Sequence, residues 1–235
     1  MIPRVVDDIP IQVNRTRRQK TAEFSLRDGQ VRVLVPDRLS NAEINRLIQR
    51  RMPWIREKMR QQESAPRMHP KEYVSGESFA YLGRNYRLKI VQDVEEGVKL
   101  KSGGFVVSIS GERDSEERGK RVHDLLERWY VDHALDRLQE KIDRYGRIMD
   151  VTPASIFVKG YRSRWGSCTH TGNIGFNWRI IIAPHTIVDY VVVHELGHIL
   201  QHDHSDAFWL LVRRVIPDYQ ERRRWLKGHG HLLTM

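Results

Sequence analysis

The sequence has a single cysteine, Cys168, among its 235 residues. One cysteine excludes a disulfide framework within the chain, fits a reducing compartment, and excludes a zinc site made of cysteines alone. Long apolar runs are also missing, since residues 180–183 and 190–193 are far shorter than the ~20 residues of a membrane-spanning helix. The N-terminus lacks the apolar core of a secretory signal. We therefore expect a cytoplasmic protein without a membrane partner.

Acidic residues are fewer than basic ones, at 30 Asp and Glu against 40 Lys and Arg, so the formal net charge is +10. This excess permits an acidic partner such as nucleic acid, although solvated helix faces explain clustered cations equally well. The clusters that would carry such binding are Arg15, Arg17, Arg18 and Lys20; Arg46, Arg50 and Arg51; and Arg213, Arg214, Arg222, Arg223, Arg224 and Lys227.

Hydrophobic residues make up 40% of the chain, enough for a globular core, and no internal repeat is evident. Up to residue 113, alternating apolar residues predict strands, and Ser40 with Glu43 predicts a capping box that begins a helix. Beyond residue 113 we expect a long helix over 121–145 that Gly146 ends, a strand at 155–159, a hairpin over 165–182 and three more helices. The sequence predicts an α+β fold with a β-rich part, residues 1–113, and a second part, residues 114–235.

The segment that points to chemistry is His194-Glu195-Leu196-Gly197-His198, in a helix predicted to begin at Pro184. Residues four apart project from one helix face, so the imidazoles of His194 and His198 can hold one Zn²⁺. Glu195 is expected beside the open side of the metal, where its carboxylate can accept a proton from water and return it to a leaving amine. The valines before His194 predict that the other helix faces are buried.

A catalytic zinc takes three protein ligands and leaves one position for water. His202 fails as the third ligand if the helix continues, because its Cα would lie ~12 Å along the axis from that of His194. His204 fits better, since Asp203 can end the helix in a left-handed turn that returns the chain to the metal. The carboxylates of Asp218 and Glu221, one helix later, are the alternatives.

Several ordered motifs also carry a resemblance to a known family. They are Ser163-Arg164-Trp165-Gly166-Ser167-Cys168, residues 172–178, residues 189–198, His204-Ser205 and Phe208-Trp209. In these motifs the chain resembles the YgjP-like metallopeptidases, which are related to the SprT-like and WLM zinc peptidases. The resemblance implies a zincin-like domain over residues 114–235 that acts on protein or peptide substrates. It also implies that His194, His198 and His204 bind zinc and that Glu195 is the catalytic acid/base.

The hairpin before the metal helix has two interpretations. In zincin folds, a strand edge beside the metal lets a peptide substrate pair as an added strand. We expect that edge to be formed by Asn173, Ile174, Gly175, Phe176 and Asn177. The alternative is an ordinary core hairpin with Phe176 and Trp178 packed inside.

Other polar residues near these motifs also have more than one interpretation. Tyr161, Arg162 and Arg164 can stabilise an oxyanion, hold an acidic side chain or form structural contacts. Asp189 can orient a ligand histidine or make a local helix contact. Cys168 can approach the metal or fill a buried space.

The sequence therefore predicts a zinc-dependent metallopeptidase that hydrolyses peptide bonds. Two alternatives belong to other functional classes: a nucleic-acid-associated protein that acts on DNA-bound protein partners, and a zinc-stabilised binding module without catalysis. The presence of Glu195 argues against the second, because a structural zinc site needs no base. Substrate identity and oligomeric state do not follow from the sequence.

Overall fold

The computed structural model of the chain describes residues 2–6, 8–17, 22–27, 29–64, 70–111 and 114–235. The fold is α+β, as predicted, and has an N-terminal unit (Met1–His69) and a C-terminal unit (Pro70–Met235). This division differs from the expected parts 1–113 and 114–235, because the strands between residues 78 and 109 share one hydrophobic core with the helices that follow them. Arg18 and Lys20 of the first basic cluster lie outside the described residues.

A four-stranded sheet and one helix form the N-terminal unit. Its strands are β1 (Ile2–Val6), β2 (Ile9–Thr16), β3 (Glu23–Arg27) and β4 (Gln30–Pro36), in the order β1-β2-β4-β3 with β2 and β4 parallel. Helix α1 (Asn41–Ser64) begins at the predicted capping box, where the Glu43 carboxylate accepts the Ser40 backbone N–H at 2.8 Å. The sheet and the helix enclose a core of Ile11, Val13, Val31, Val33, Val35, Ile44, Ile48, Met52 and Ile55.

The C-terminal unit begins with the same topology. Strands β5 (Ser78–Tyr81), β6 (Arg84–Gln92), β7 (Gly97–Lys101) and β8 (Gly104–Ile109) lie in the order β5-β6-β8-β7 with β6 and β8 parallel, and helix α2 (Ser115–Met149) follows. The elements from β6 to α2 correspond one by one to those from β2 to α1. Each begins nearly the same number of residues after its counterpart. The structure therefore contains a ββββα repeat that the sequence did not reveal.

Helix α2 is longer than the predicted span of residues 121–145. It begins after Asp114, whose side chain accepts the Glu117 backbone N–H at 2.8 Å, and it ends where Asp150 takes the left-handed conformation with φ of 55°. Gly146 does not end the helix. Its lack of a side chain admits the Val151 carbonyl oxygen, which a Cβ at position 146 would approach to 2.7 Å.

A three-stranded sheet and three helices complete the C-terminal unit. The strands β9 (Ser155–Lys159), β10 (Gly166–Cys168) and β11 (Asn173–Asn177) lie in the order β10-β11-β9. The helices are α3 (His185–Leu200), α4 (Asp206–Val215) and α5 (Tyr219–His229). The predicted hairpin is confirmed for β10 and β11, whereas Trp178–Ile182 form a largely buried 3-10 helix. None of the described helices is both long enough and apolar enough to cross a membrane.

Candidate metal centre

Three histidines converge at the end of α3. His194 and His198 are one turn apart on the helix, and His204 lies in the loop that follows it. Each offers one imidazole nitrogen, and these nitrogens lie within 4.8 Å of one another. The Nε2 atoms of His194 and His204 are 3.1 Å apart, close to the ~3.3 Å expected when two imidazoles bind one tetrahedral metal at ~2.0–2.1 Å. The three histidines are therefore positioned to bind one metal ion.

The protonation of these rings suits a metal. Burial, followed by the charges of the neighbouring His198 and His204, lowers the pKa of His194 to about 3. Burial also lowers the pKa of His198, whose Nδ1 lies 3.1 Å from the Gln201 carbonyl oxygen. An Nδ1–H that donates to this carbonyl leaves Nε2 with a free lone pair. Both rings on α3 are thus neutral at pH 7, which is the form of histidine that binds metals.

Asp203 shapes the loop that carries His204. Its carboxylate accepts hydrogen bonds from the Gln201 side-chain amide at 2.8 Å and from the Ser205 backbone N–H at 3.0 Å. These bonds, the Gln201 bond first, lower the pKa of Asp203 to about 2. The expected left-handed turn at Asp203 is wrong, because α3 ends at Leu200 and the backbone is extended at Gln201. The side chain of Asp203, rather than its backbone conformation, fixes the loop.

Helix α4 packs against all three rings through Phe208. The Phe208 side chain is fully buried, and its ring centroid lies 4.5 to 5.0 Å from the centroids of the three histidines. Gly197 gives this ring its space, since a Cβ there would lie 3.0 Å from Phe208 Cε2. Trp209 stacks on His204 with their centroids 5.6 Å apart. The aromatic residues of α4 thereby restrict the orientation of the imidazoles.

The carboxylate of Glu195 is buried beside strand β10. Glu195 is only 5% exposed, and burial raises its pKa to about 8, while the positive charge of Arg164 acts in the opposite direction. Gly166 of β10 packs directly against it, since a Cβ at Gly166 would lie 2.5 Å from Glu195 Oε1. Among the described residues, no group donates a hydrogen bond to this carboxylate, so its capacity to accept hydrogen bonds is left for water or substrate.

Strand β11 is not the edge strand that we expected from the sequence. It pairs antiparallel with β10 and parallel with β9, so Asn173–Asn177 have a neighbouring strand on both sides. Ile174 and Phe176 are fully buried, as the core-hairpin alternative predicts. The outer strand that packs against α3 is β10. The sheet edge beside Glu195 therefore belongs to β10.

The other candidate ligands lie outside the histidine cluster. The carboxylate of Asp218 accepts a hydrogen bond from an arginine of α5 at 2.9 Å, and Glu221 is exposed on that helix. His202 contacts His170 instead, with their ring centroids 4.4 Å apart. Cys168 is half-buried on β10, where burial and then the charge of Glu195 raise the pKa of its thiol. Among the described residues, the potential metal ligands that cluster are the three histidines alone.

Two polar residues near the site make structural contacts. The side-chain amide of buried Asn177 donates to the carbonyl oxygens of Tyr161 at 3.0 Å and Arg164 at 3.3 Å, so it anchors the loop between β9 and β10. Sequence reasoning missed this anchor, although an amide between Phe176 and Trp178 was a signal for it. Asp189 forms an ion pair with Lys141 of α2 and so holds α3 onto that helix.

Comparison with known proteins places the chain in a family. The family model described as YgjP-like, metallopeptidase domain matches residues 20–229. The crystal structure of the metallopeptidase zymogen of Pyrococcus abyssi abylysin is similar to part of it, at 20% sequence identity and a TM-score of 0.34, covering 40% of this chain and 92% of that chain. No curated protein matches the chain. Because the family model spans most of the sequence, the chain belongs to the YgjP-like metallopeptidase family.

Proposed function

We propose that this protein is a zinc-dependent peptidase that hydrolyses peptide bonds at the end of α3. His194, His198 and His204 bind the metal, and Glu195 is the general acid/base. The observation that carries the proposal is one arrangement: three imidazole nitrogens within 4.8 Å of one another and, next to the first ligand, a buried carboxylate. A purely structural metal site has no use for such a carboxylate.

The residues of the chain have distinct tasks in this reaction. Zinc, when bound, polarises the scissile carbonyl and lowers the pKa of water to ~7. The neutral rings of His194 and His198 supply lone pairs from a rigid helix, and Phe208 holds them in place. Glu195 takes a proton from the attacking water and later donates it to the nitrogen of the leaving amine. Its burial favours the protonated form, which opposes the first transfer and assists the second. The positive charge of Arg164, and that of a bound metal, would favour the ionised form that the first transfer needs.

The edge of β10 is the place where we propose that the substrate backbone binds. β10 is an outer strand, and Gly166 brings it against the Glu195 carboxylate. A peptide that pairs with this edge as an added strand gains main-chain hydrogen bonds whatever its side chains are. Pairing there also presents one peptide bond to Glu195 and the histidines. This assignment takes the place of the expected edge at β11.

The proposal is tested by metal analysis and peptide cleavage on the same protein samples. Wild type is expected to bind about one zinc per chain and to cleave members of a peptide mixture, detected by mass spectrometry. Glu195→Gln is expected to keep the metal and lose at least ~100-fold in turnover, the lower range for general acid–base catalysis. Glu221→Gln, an exposed carboxylate change on α5, is the matched control and is expected to behave as wild type. Wild-type activity in Glu195→Gln, or no zinc binding after reconstitution, would contradict the proposal.

A nucleic-acid role remains a prediction of the basic clusters. In the cluster on α4 and α5, two arginines already have intramolecular contacts: Arg222 binds Asp218 and the Thr186 carbonyl, and Arg223 lies over the Trp209 ring. Binding of duplex DNA that weakens steeply with salt would support it. Peptide cleavage at full rate without DNA favours the simple peptidase.

A further inference from the structure

One stretch of the C-terminal unit has no acidic residue. Between Asp150 and Asp189 the sequence contains neither Asp nor Glu, although the whole chain has 30 of them. This stretch forms β9, β10, β11 and the 3-10 helix, so it includes the strand that adjoins Glu195. Its basic residues are Lys159, Arg162, Arg164 and Arg179. The sheet beside the metal centre is therefore cationic, with no carboxylate of its own to neutralise it.

One of these cations already has an acidic partner. Arg179 lies over the Trp178 ring at 4.1 Å and is 3.7 Å from Glu127 of α2. Lys159, Arg162 and Arg164 are exposed, and none of them forms an ion pair with a described residue. Of these three, the two arginines have the planar guanidinium that can bind a carboxylate through paired N–H donors.

Arg164 is the basic residue nearest in sequence to Gly166, the residue of β10 that packs against Glu195. Its carbonyl is held by the buried amide of Asn177, and two residues later Gly166 packs against Glu195. Its guanidinium lies 5.6 Å from the centre of the Tyr161 ring, which supports the side chain without neutralising it. The charge of Arg164 also acts on Glu195 directly. Arg164 thus stands at the end of the β10 edge with an unpaired positive charge.

We infer that this peptidase selects peptides with an acidic side chain close to the scissile bond, and that Arg164 binds that carboxylate. The inference rests on the proposed function, because it assigns the substrate class of the same site. A guanidinium offers paired N–H donors that match a carboxylate, and charge-assisted hydrogen bonds of this type are the stronger ones. A cleft lined by charges of one sign also raises the local concentration of oppositely charged substrates.

The test uses three synthetic peptides that differ at one position flanking the cleaved bond, with Glu, Gln or Lys there. Wild-type, zinc-loaded protein is expected to cleave the Glu peptide with a kcat/KM about tenfold above that of the Lys peptide, mainly through KM, and the advantage is expected to shrink in high salt. Arg164→Glu is expected to reverse the order of the Glu and Lys peptides. Arg87→Glu makes the same charge change at an exposed position of β6, in the four-stranded sheet of the same unit. This variant is expected to keep the wild-type order.

Three results would overturn the inference. Equal cleavage of all three peptides by wild type removes the acidic preference. A loss in Arg164→Glu that is equal for all three peptides assigns Arg164 to the chemical step rather than to selectivity. If Arg87→Glu also reverses the order of the Glu and Lys peptides, the preference depends on the net charge of the protein and not on Arg164. The proposed function fails separately, when the zinc-loaded wild type cleaves none of the peptides. If Arg164→Glu does not fold, Arg164→Gln replaces it and is expected to bring the Glu and Gln peptides to equal rates.

Discussion

Gly166 of strand β10 lies directly against the carboxylate of Glu195 on helix α3. A Cβ at position 166 would be 2.5 Å from Oε1 and 2.6 Å from Cδ of Glu195, closer than non-bonded atoms approach. The sheet edge can therefore adjoin the Glu195 carboxylate only because residue 166 has no side chain. The same contact excludes water from one side of Glu195, which explains part of its burial.

Gly166→Ala is expected to impair catalysis without removing the metal. The added methyl group pushes the Glu195 carboxylate or the β10 edge out of place, and a displacement of about 1 Å can cost ~10²-fold in rate. Zinc content is expected to stay at the wild-type value, since the atoms nearest to a Cβ at position 166 belong to Glu195 and not to the three histidines. Both quantities are measured on the same preparations, with Gly228→Ala on α5 as the control, because nothing lies within 4 Å of a Cβ there. Unchanged kcat in Gly166→Ala would show that the contact has no catalytic consequence.

His204→Ala is expected to lower zinc affinity by more than ~100-fold. Loss of a residue that only orients a ligand costs about 10–100-fold, so loss of the ligand itself costs more. The adjacent histidine gives a matched control: His202→Ala, whose ring contacts His170 rather than the cluster, is expected to keep the wild-type affinity. Affinity is measured by competition with a chelator of known zinc affinity. Retention of zinc by His204→Ala would move the third ligand to Asp218 or Glu221.

Asp189→Asn is expected to lower stability and leave zinc affinity unchanged. Asp189 and Lys141 form an ion pair between α3 and α2, and both side chains are 15% exposed. Removal of the Asp189 charge leaves the Lys141 charge poorly solvated. The expected loss in the free energy of unfolding is about 3 kcal/mol, the lower end of the range for broken buried ion pairs. The free energy of unfolding is measured in urea, and zinc affinity in buffer. A zinc affinity that falls while stability stays constant would instead support the hypothesis that Asp189 orients a ligand histidine.

The local geometry of the candidate site followed from the sequence. His194, Glu195 and His198 lie on one helix, so their relation depends only on helical periodicity and the structure reproduces it. The position of His204 depends on a loop. The structure brings its ring to the other two histidines, but not through the left-handed turn expected at Asp203. The turn follows from hydrogen bonds to the Asp203 carboxylate, which a pattern of residue types does not specify.

Non-local features did not follow from the sequence. β11 is a central strand because β9, an element well before it in the chain, pairs with it in parallel. Parallel pairing leaves no turn signal between the two strands, so the hairpin pattern alone suggested a free edge. The ββββα repeat escaped detection for a similar reason. Val33 in β4 and Val107 in β8 occupy equivalent buried positions, but most core positions require only an apolar side chain of some kind.

Asn177→Ala is expected to reduce both stability and catalytic rate, because one buried amide holds the loop that leads into β10. The change removes the donors to the Tyr161 and Arg164 carbonyls and the acceptor for the Arg179 backbone N–H. Buried polar groups left without partners cost ~1–3 kcal/mol each, and exposure of the loop to water recovers part of that cost. The remaining loss, about 2 kcal/mol, is measured by urea unfolding. Asn85→Ala, an exposed amide on β6, is the control and is expected to unfold as wild type does. Zinc content is expected to be normal in both variants, so a lower kcat/KM in Asn177→Ala at full zinc loading traces the effect to the β10 edge rather than to the metal ligands.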